Sequence, residues 1–438
     1  MNNLNIKDNH HNKPQTLLID FVVLGFGASG IAASIELKKK GIEFMTLEKR
    51  DTYGGCWNDA LETSTLQTHK DCYKFVDLEY DKSVGDFPNK LDILNYFEKA
   101  INHFKIKNHV LFNVEYNLEK SNTLWLFKLN TGTHIQCKHI LFCLGTNCKP
   151  SIPYINIHNE KCSNMISIHS NKFNLFTKSN PNYFYSKRKI VIVGNGASCC
   201  DILKNIKDSN CNHEIMVMFK SPKFFLPKYM FGIPCHYFLT KSLLHFFENT
   251  SLKLNILLLT LANMIFIHNY LDIPFSKINS FNIIASFVIQ DLMRQGILSY
   301  HQESIKEVDL KRKIIKTDDS LYTDIDMIIY ATGYSEIDFE SDFDINFDYL
   351  YNYVLPIKVN KDSNNKLNNL GFIGLNRTYN FLLNSQSKAK WYIDNVYLDF
   401  KVKNEDITKW IKQTINRKKK SNIKFLDSTY ELFEIEYK

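Results

Sequence analysis

Two stretches of this chain carry the same succession of apolar run, glycine turn and helical spacing. The first runs Phe21-Val22-Val23-Leu24 into Gly25-Phe26-Gly27-Ala28-Ser29-Gly30, with Ile31 and Ile35 one turn apart behind it. Gly41 then stops the helix, and Ile42 to Leu47 begins another strand. The second runs Ile190-Val191-Ile192-Val193 into Gly194-Asn195-Gly196-Ala197-Ser198-Cys199, with Ile202, Leu203 and Ile206 on one helix face and a strand from Ile215 to Phe219. A third apolar strand, Ile325 to Tyr330, leads into Ala331-Thr332-Gly333. Apolar runs without alternation suit parallel strands buried on both faces. The pattern therefore predicts an α/β fold of two Rossmann-like dinucleotide-binding domains, one inserted into the other.

The polar, Asn- and His-rich residues 1–18 read as a disordered lead-in. The first domain is placed at 19–155, the inserted one at 156–324, and the return of the first domain with C-terminal helices at 325–438. Lys149-Pro150-Ser151-Ile152-Pro153 marks the crossing, because proline ends regular structure and stiffens a linker.

Each glycine turn has a stated chemistry. Gly25 permits the tight turn, Gly27 lets backbone approach a pyrophosphate, and Gly30 lets the helix pack on the strand. The helix N-terminus at Ala28 and Ser29 offers amides to phosphate. Glu48 stands where an acid accepts from an adenosine ribose and disfavours a 2′-phosphate, so the first site suits FAD or NAD better than NADP. In the second motif Gly194, Gly196 and Ser198 keep the pattern, but Cys199 replaces the third glycine. Lys220, with Lys223 behind it, takes the place of the acid; cations there suit the 2′-phosphate of NADP.

Composition narrows the class. With 438 residues, 44% hydrophobic and 23% charged, the chain is an ordinary globular protein of two or three domains. A formal charge of +8 is modest, and the runs Lys38–Lys40 and Arg417–Lys420 read as solvated helix ends, so no nucleic-acid partner is expected. Ten scattered cysteines without a CxxC pair argue against a zinc or other metal site and for a reducing, cytoplasmic setting. The longest apolar stretch, Leu254 to Ile267, is shorter than the roughly 20 residues of a spanning helix. It reads as a buried helix, with peripheral membrane contact as the alternative; the oligomeric state is left open.

The residues after Glu48 resemble a known family. Glu48-Lys49-Arg50-Asp51-Thr52-Tyr53-Gly54-Gly55-Cys56-Trp57 is similar to the E-x(5)-GG-x-W segment of the flavin-containing monooxygenases. Leu61 to Lys70 with Tyr73-Lys74-Phe75 is similar to the same family, nearest its plant-type members. Asp326 to Tyr334 resembles its late strand motif, and Leu370 to Leu375, with Trp391 on the helix beyond, its C-terminal flavin strand. The resemblance spans roughly residues 20–400 in order. It implies an FAD domain holding an inserted NADP domain. It also implies contacts to FAD from Gly25, Gly27, Ala28, Ser29, Gly30, Glu48, Lys49, Gly55, Cys56, Trp57 and Leu66, and to NADP from Gly194, Gly196, Ser198, Cys199 and Lys220, with Gly333 on the cofactor side of the late motif. Gln67 stands where many members have an asparagine near the flavin C4a, and is the candidate catalytic residue.

The activity so implied is a monooxygenase: NADPH reduces FAD, O2 forms a C4a-hydroperoxyflavin, and one oxygen passes to a soft nitrogen or sulfur nucleophile of a small apolar substrate. Alternatives are an NADPH oxidase that releases peroxide, or a redox sensor that binds both dinucleotides without turnover. The linker fingerprint departs from the family at Ser163 and Met165, and Phe173-Asn174 stands where Baeyer–Villiger relatives carry Trp-Pro, which lowers ketone oxygenation. His169 fits the fingerprint, either as a functional residue or as a hydrogen-bonded linker histidine. A helix ahead of Trp391, opening near Ser385 or Ser387, is expected to aim its positive end at the flavin. Pocket walls are expected from Pro222 to Met293.

Overall fold

A computed structural model describes residues 16–121, 123–146, 149–208, 212–221, 223–225, 228–238, 283–284, 286–335, 350–356, 369–375, 380–399, 401–403, 405–410 and 412–413. The lead-in up to residue 15 and the apolar stretch 254–267 lie outside the described residues, as does most of the expected pocket-wall segment.

In the first lobe, β1 (Thr16–Leu24) runs through the glycine turn into α1 (Ala28–Lys39) and β2 (Phe44–Leu47). Then come α2 (Lys90–His103), β3 (Val110–Leu111), β4 (Tyr116–Ser121), β5 (Leu124–Leu129) and β6 (His134–Phe142). The sheet order is β3-β2-β1-β6-β5-β4. β1 is parallel to β2 and β6, while β4, β5 and β6 form an antiparallel meander. Residues of β1 feed two cores: Phe21 and Val23 join that of α1 and α2, and Ile19, Val22 and Leu24 join the meander's Trp125 and Phe127. β1 begins at Thr16, inside the expected lead-in, because Thr16 to Ile19 pair with His134 to Cys137.

The second lobe holds β7 (Ile166–His169), β8 (Lys189–Val193), α3 (Ala197–Lys207), β9 (Glu214–Met218), α4 (Val288–Arg294), β10 (Leu298–His301) and β11 (Met327–Tyr330). Its sheet is parallel throughout, in the order β10-β9-β8-β11-β7. Here the expected boundary at residue 325 needs correction. β11 does not open the return into the first lobe; it is a central strand of the second sheet, between β8 and β7. Its residues are buried on both faces, Met327 and Ile329 toward α3 and Ile328 and Tyr330 toward the opposite core.

The chain returns only after Tyr330. Tyr334–Ser335 pairs antiparallel with Lys149–Pro150, so the outgoing and returning linkers run side by side. Ser151 N donates to Gly333 O at 3.0 Å, and His169 Nε2 donates to the same carbonyl at 2.9 Å. That bond leaves His169 Nδ1 to accept from Asn171 N at 3.2 Å. His169 is thus hydrogen-bonded within the linker crossing. β12 (Leu370–Phe372) adds to β6 in the first sheet, and α5 (Phe381–Tyr392) lies along α1. The α5 helix opens at Phe381, a turn before the expected serines; Asn380 precedes it without a side-chain cap, and Ser385 and Ser387 are interior.

The glycines fix how closely these pieces approach. A Cβ on Gly30 would collide with the carbonyl oxygen of Gly25, and one on Gly374 with Ser29 Oγ. Gly41 has φ +67° but open space around it. Gly30→Ala should therefore cost about 3 kcal/mol, as overpacking against backbone does. Gly41→Ala should cost about 1 kcal/mol for the left-handed turn alone. Denaturant unfolding of the two variants measures this, and equal losses would contradict the packing argument.

Candidate functional site

The first site is built from backbone laid on backbone. Gly25 has φ +92°, and a Cβ there would sit 2.8 Å from Cys143 O. Gly54 N donates to Phe26 O at 3.1 Å, and a Cβ on Gly55 would lie 3.1 Å from Gly27 Cα. The Gly54-Gly55 turn therefore rests directly on the glycine loop. Glu48, at the end of β2, is 5% exposed and ties this junction together. Its Oε2 accepts from Phe26 N at 2.6 Å and its Oε1 from Arg50 N at 2.9 Å. A carboxylate has lone pairs to spare beyond these two bonds, so it retains capacity to accept from a ribose. The α1 helix starts with no side-chain cap, its Ala28, Ser29 and Gly30 amides lying at the turn.

Around that loop, Cys56 and Lys49 are exposed, and Trp57 is half-buried with Nε1 donating to Tyr73 OH at 2.9 Å. Burial pushes the Tyr73 phenol up, so it stays neutral. Arg50 grips Asp59 with two bonds, 3.0 and 2.6 Å, which keep the segment after Glu48 in place. Ser29 Oγ lies 3.5 Å from Ser385 Oγ, joining the helix start to α5.

The second loop is similar and looser. Gly194 has φ +102°, and a Cβ there would lie 2.5 Å from Ala331 O, so this turn needs glycine as Gly25 does. At Gly196 an added Cβ meets nothing within 4 Å, which leaves ground for a ligand. Cys199 is fully buried in the second core, so this turn leaves room for a side chain where Gly30 leaves none. Burial raises its thiol well above the usual range, so it is an inert packing group rather than a nucleophile. Ser198 is half-buried and Lys220 exposed, its carbonyl accepting from Gln302 Nε2 at 3.3 Å. Lys223, by contrast, is partly buried and its ammonium is lowered by desolvation. Gly333 belongs to the linker crossing, where its carbonyl is already engaged.

Sequence reasoning passed over three residues. Asn195, between the two glycines, is 3% exposed and donates to Ser221 O at 3.2 Å and Tyr300 OH at 2.8 Å, tying the loop to the ends of β9 and β10. Asp201, on α3, accepts from Ser64 Oγ of the first lobe at 2.9 Å. Lys228 donates to Thr65 Oγ1 at 2.6 Å and Leu66 O at 3.0 Å, with its ammonium over the Phe87 ring. Residues 64–66 are thus held from the other lobe immediately ahead of half-buried Gln67. The segment after Lys228 continues the contact: Tyr229 OH donates to Asp86 at 2.9 Å and Tyr237 OH to Asp71 at 3.1 Å. On the linker side, Asn174 Nδ2 donates to Ala60 O at 3.2 Å. Only the position of Asp201, on the helix that leaves the second glycine turn, offered a sequence cue.

A mixed sheet and a parallel sheet, each with a glycine turn feeding a helix, and the second inserted into the first, define a two-lobed dinucleotide-dependent oxidoreductase. Residues 87–336 match the L-lysine 6-monooxygenase/L-ornithine 5-monooxygenase family, more than half of the chain. The chain belongs to that family and is a monooxygenase of the flavin-dependent class. Among curated relatives, the probable indole-3-pyruvate monooxygenase YUCCA1 of Arabidopsis thaliana is 25% identical over 325 residues, 72% of this chain and 75% of its own length. Among solved structures, a flavin-containing monooxygenase from Stenotrophomonas maltophilia superposes with TM-score 0.58 at 16% identity, over 87% of this chain and 98% of its own. The OTEMO complex with FAD and NADP superposes with TM-score 0.67 at 15% identity, over 92% and 91%. At these identities the structural likeness is one of fold. Among the described residues no helix is long and apolar enough to cross a membrane.

The Lys228 contact carries a pH signature. Burial, then the nearby Lys204, lowers its ammonium to about 8, with Asp201 opposing. Between that value and the ordinary lysine value near 10.4, the unfolded chain holds a proton that the folded one has released. The contribution of Lys228 to stability should therefore rise as pH increases through that window. Denaturant unfolding at pH 7.5 and 9.5 measures it: the change should be more favourable in the native protein than in Lys228→Met. An identical change in both would contradict it.

Proposed function

We propose that this chain is an NADPH-dependent FAD monooxygenase that places one oxygen atom on a soft nitrogen or sulfur nucleophile of a small apolar substrate. One observation carries the proposal: two glycine turns, one with Glu48 and the other with Lys220 at the end of the next strand, lie in lobes joined by the bonds of Asp201 and Lys228 to residues 64–66, next to Gln67. The residues fit both groups. At the first loop the Ala28, Ser29 and Gly30 amides would hold the phosphates and Glu48 the ribose of FAD, beside Gly55, Cys56 and Trp57. At the second, the open ground at Gly196, the start of α3 and the two lysines would receive NADP(H).

The bound flavin supplies the redox chemistry, accepting hydride from NADPH and activating O2. The chain's residues bind, orient and shield. Glu48 and the glycine loops would hold the flavin nucleotide, the interlobe contacts hold residues 64–66, and Gln67, next in the chain, carries amide donors and an acceptor. Nitrogen is favoured by the lysine and ornithine named for the family, whose reacting atoms are amines, and a thioether sulfur is the comparably soft alternative. The indole-3-pyruvate named for the plant relative supplies the competing class, a 2-oxo acid.

The test supplies the purified protein with NADPH and O2 and follows coenzyme use, peroxide and product from an amine, a thioether and a 2-oxo acid. Coupled N- or S-oxide formation is expected. Peroxide alone would replace the proposal with an oxidase, and no NADPH use would replace it with a binding protein. In the same assay Lys220→Ala should raise the KM for NADPH about tenfold, the effect of one charge-assisted phosphate contact, and leave NADH nearly unchanged. Equal losses with both coenzymes would show that Lys220 does not read the 2′-phosphate.

A further inference from the structure

The strongest feature outside the nucleotide loops is the pair of grips on residues 64–66. Ser64 Oγ donates to Asp201 Oδ2 at 2.9 Å. Thr65 Oγ1 and Leu66 O accept from Lys228 Nζ at 2.6 and 3.0 Å. Three consecutive residues of the first lobe are therefore fixed by the second, and Gln67 comes next.

Both grips issue from the unit that contains the second glycine loop. Asp201 lies on α3, which starts at Ala197 directly after Gly196, and Lys228 lies beyond β9, which pairs with β8 on the other side of the loop. Asp201 Oδ1 is buried with no hydrogen-bond partner, and the carboxylate is raised by burial. Lys204, 3.9 Å from that oxygen, and Lys228 are the charged groups acting on it. An acid and a base held in this state are poorly solvated, so their bonds to residues 64–66 are worth more than exposed ones.

We propose that Asp201 and Lys228 are positioning residues that couple occupancy of the second nucleotide site to the placement of Gln67, by clamping residues 64–66 against the second lobe. A dinucleotide on the 194–199 loop fixes the start of α3 and its neighbouring strands. Asp201 and Lys228 move with those elements, and residues 64–66 move with them. Oxygen chemistry at the first site is then shielded only when the second site is filled. This inference rests on the reading that NADP(H) binds the second loop.

The test is hydrogen–deuterium exchange of the FAD-loaded protein with and without NADP+, read on peptides covering residues 62–70. There Leu66 N and Lys70 N are hydrogen-bonded to Pro88 O and Asp86 O. NADP+ should slow exchange in this segment in the native protein. Lys228→Met and, from the opposite lobe, Ser64→Ala/Thr65→Val should reduce that slowing about fivefold, near the factor of one net hydrogen bond. Lys228→Arg should retain it, because the guanidinium keeps donors within reach.

In turnover, the first two variants should keep the KM for NADPH within about twofold and shift the products toward peroxide, a split that simple destabilisation does not give. Far-ultraviolet circular dichroism confirms that each is folded, and the Ser64→Ala/Thr65→Val pair, which changes no charge, stands in if Lys228→Met is not. Native NADP+ binding with unchanged exchange at 62–70, or full slowing in both clamp variants, overturns this inference alone. Failure of the native protein to bind NADP+ overturns the cofactor reading and this inference with it.

Discussion

The close approach of backbone to backbone at the first glycine loop is the constraint on which the rest of the structure depends. Gly25 sits against the Cys143 carbonyl, Gly30 against the Gly25 carbonyl, Gly55 against Gly27, and Gly374 against Ser29. Three separated parts of the chain meet there backbone to backbone, and Gly374 packs on the Ser29 side chain. Glu48 fastens the junction by accepting from the amides of Phe26 and Arg50. Such contact ties the Glu48 carboxylate to the loop from which α1 starts, the elements a dinucleotide-binding turn uses.

The second lobe obeys the same plan with less stringency. Gly194 is as constrained as Gly25, yet Cys199 fits where Gly30 has no alternative. Asn195 supplies part of the rigidity that close packing gives the first loop, through its bonds to Ser221 and Tyr300. The lobes are joined at several places, among them the linkers and residues 64–66. The linkers run as a paired ribbon fastened by His169, and the 64–66 segment is held by Asp201 and Lys228.

Much of this was legible in the sequence, for a physical reason. A glycine turn, the helix behind it and the acid or lysine at the next strand's end lie within about 30 residues, so local spacing encodes them. Strand identity across lobes is not local. Met327–Tyr330 reads as a buried parallel strand from its composition, but nothing in it says which of the two sheets it joins, and the expected boundary at 325 failed for that reason. The start of α5 was misplaced because Ser385 and Ser387 look like caps, whereas the helix opens at Phe381 without one. Asp201 and Lys228 act on partners 137 and more residues away, beyond the reach of any pattern in one sequence.

The central claim is that the first glycine loop grips a flavin through Glu48. Flavin absorbance of the natively purified protein, beside that of Glu48→Ala, tests it most directly. A yellow protein with FAD near one per chain, and a variant that has lost most of it while remaining folded, is the predicted result. A colourless native protein that takes up no added FAD, or a variant that keeps its full complement, would contradict it.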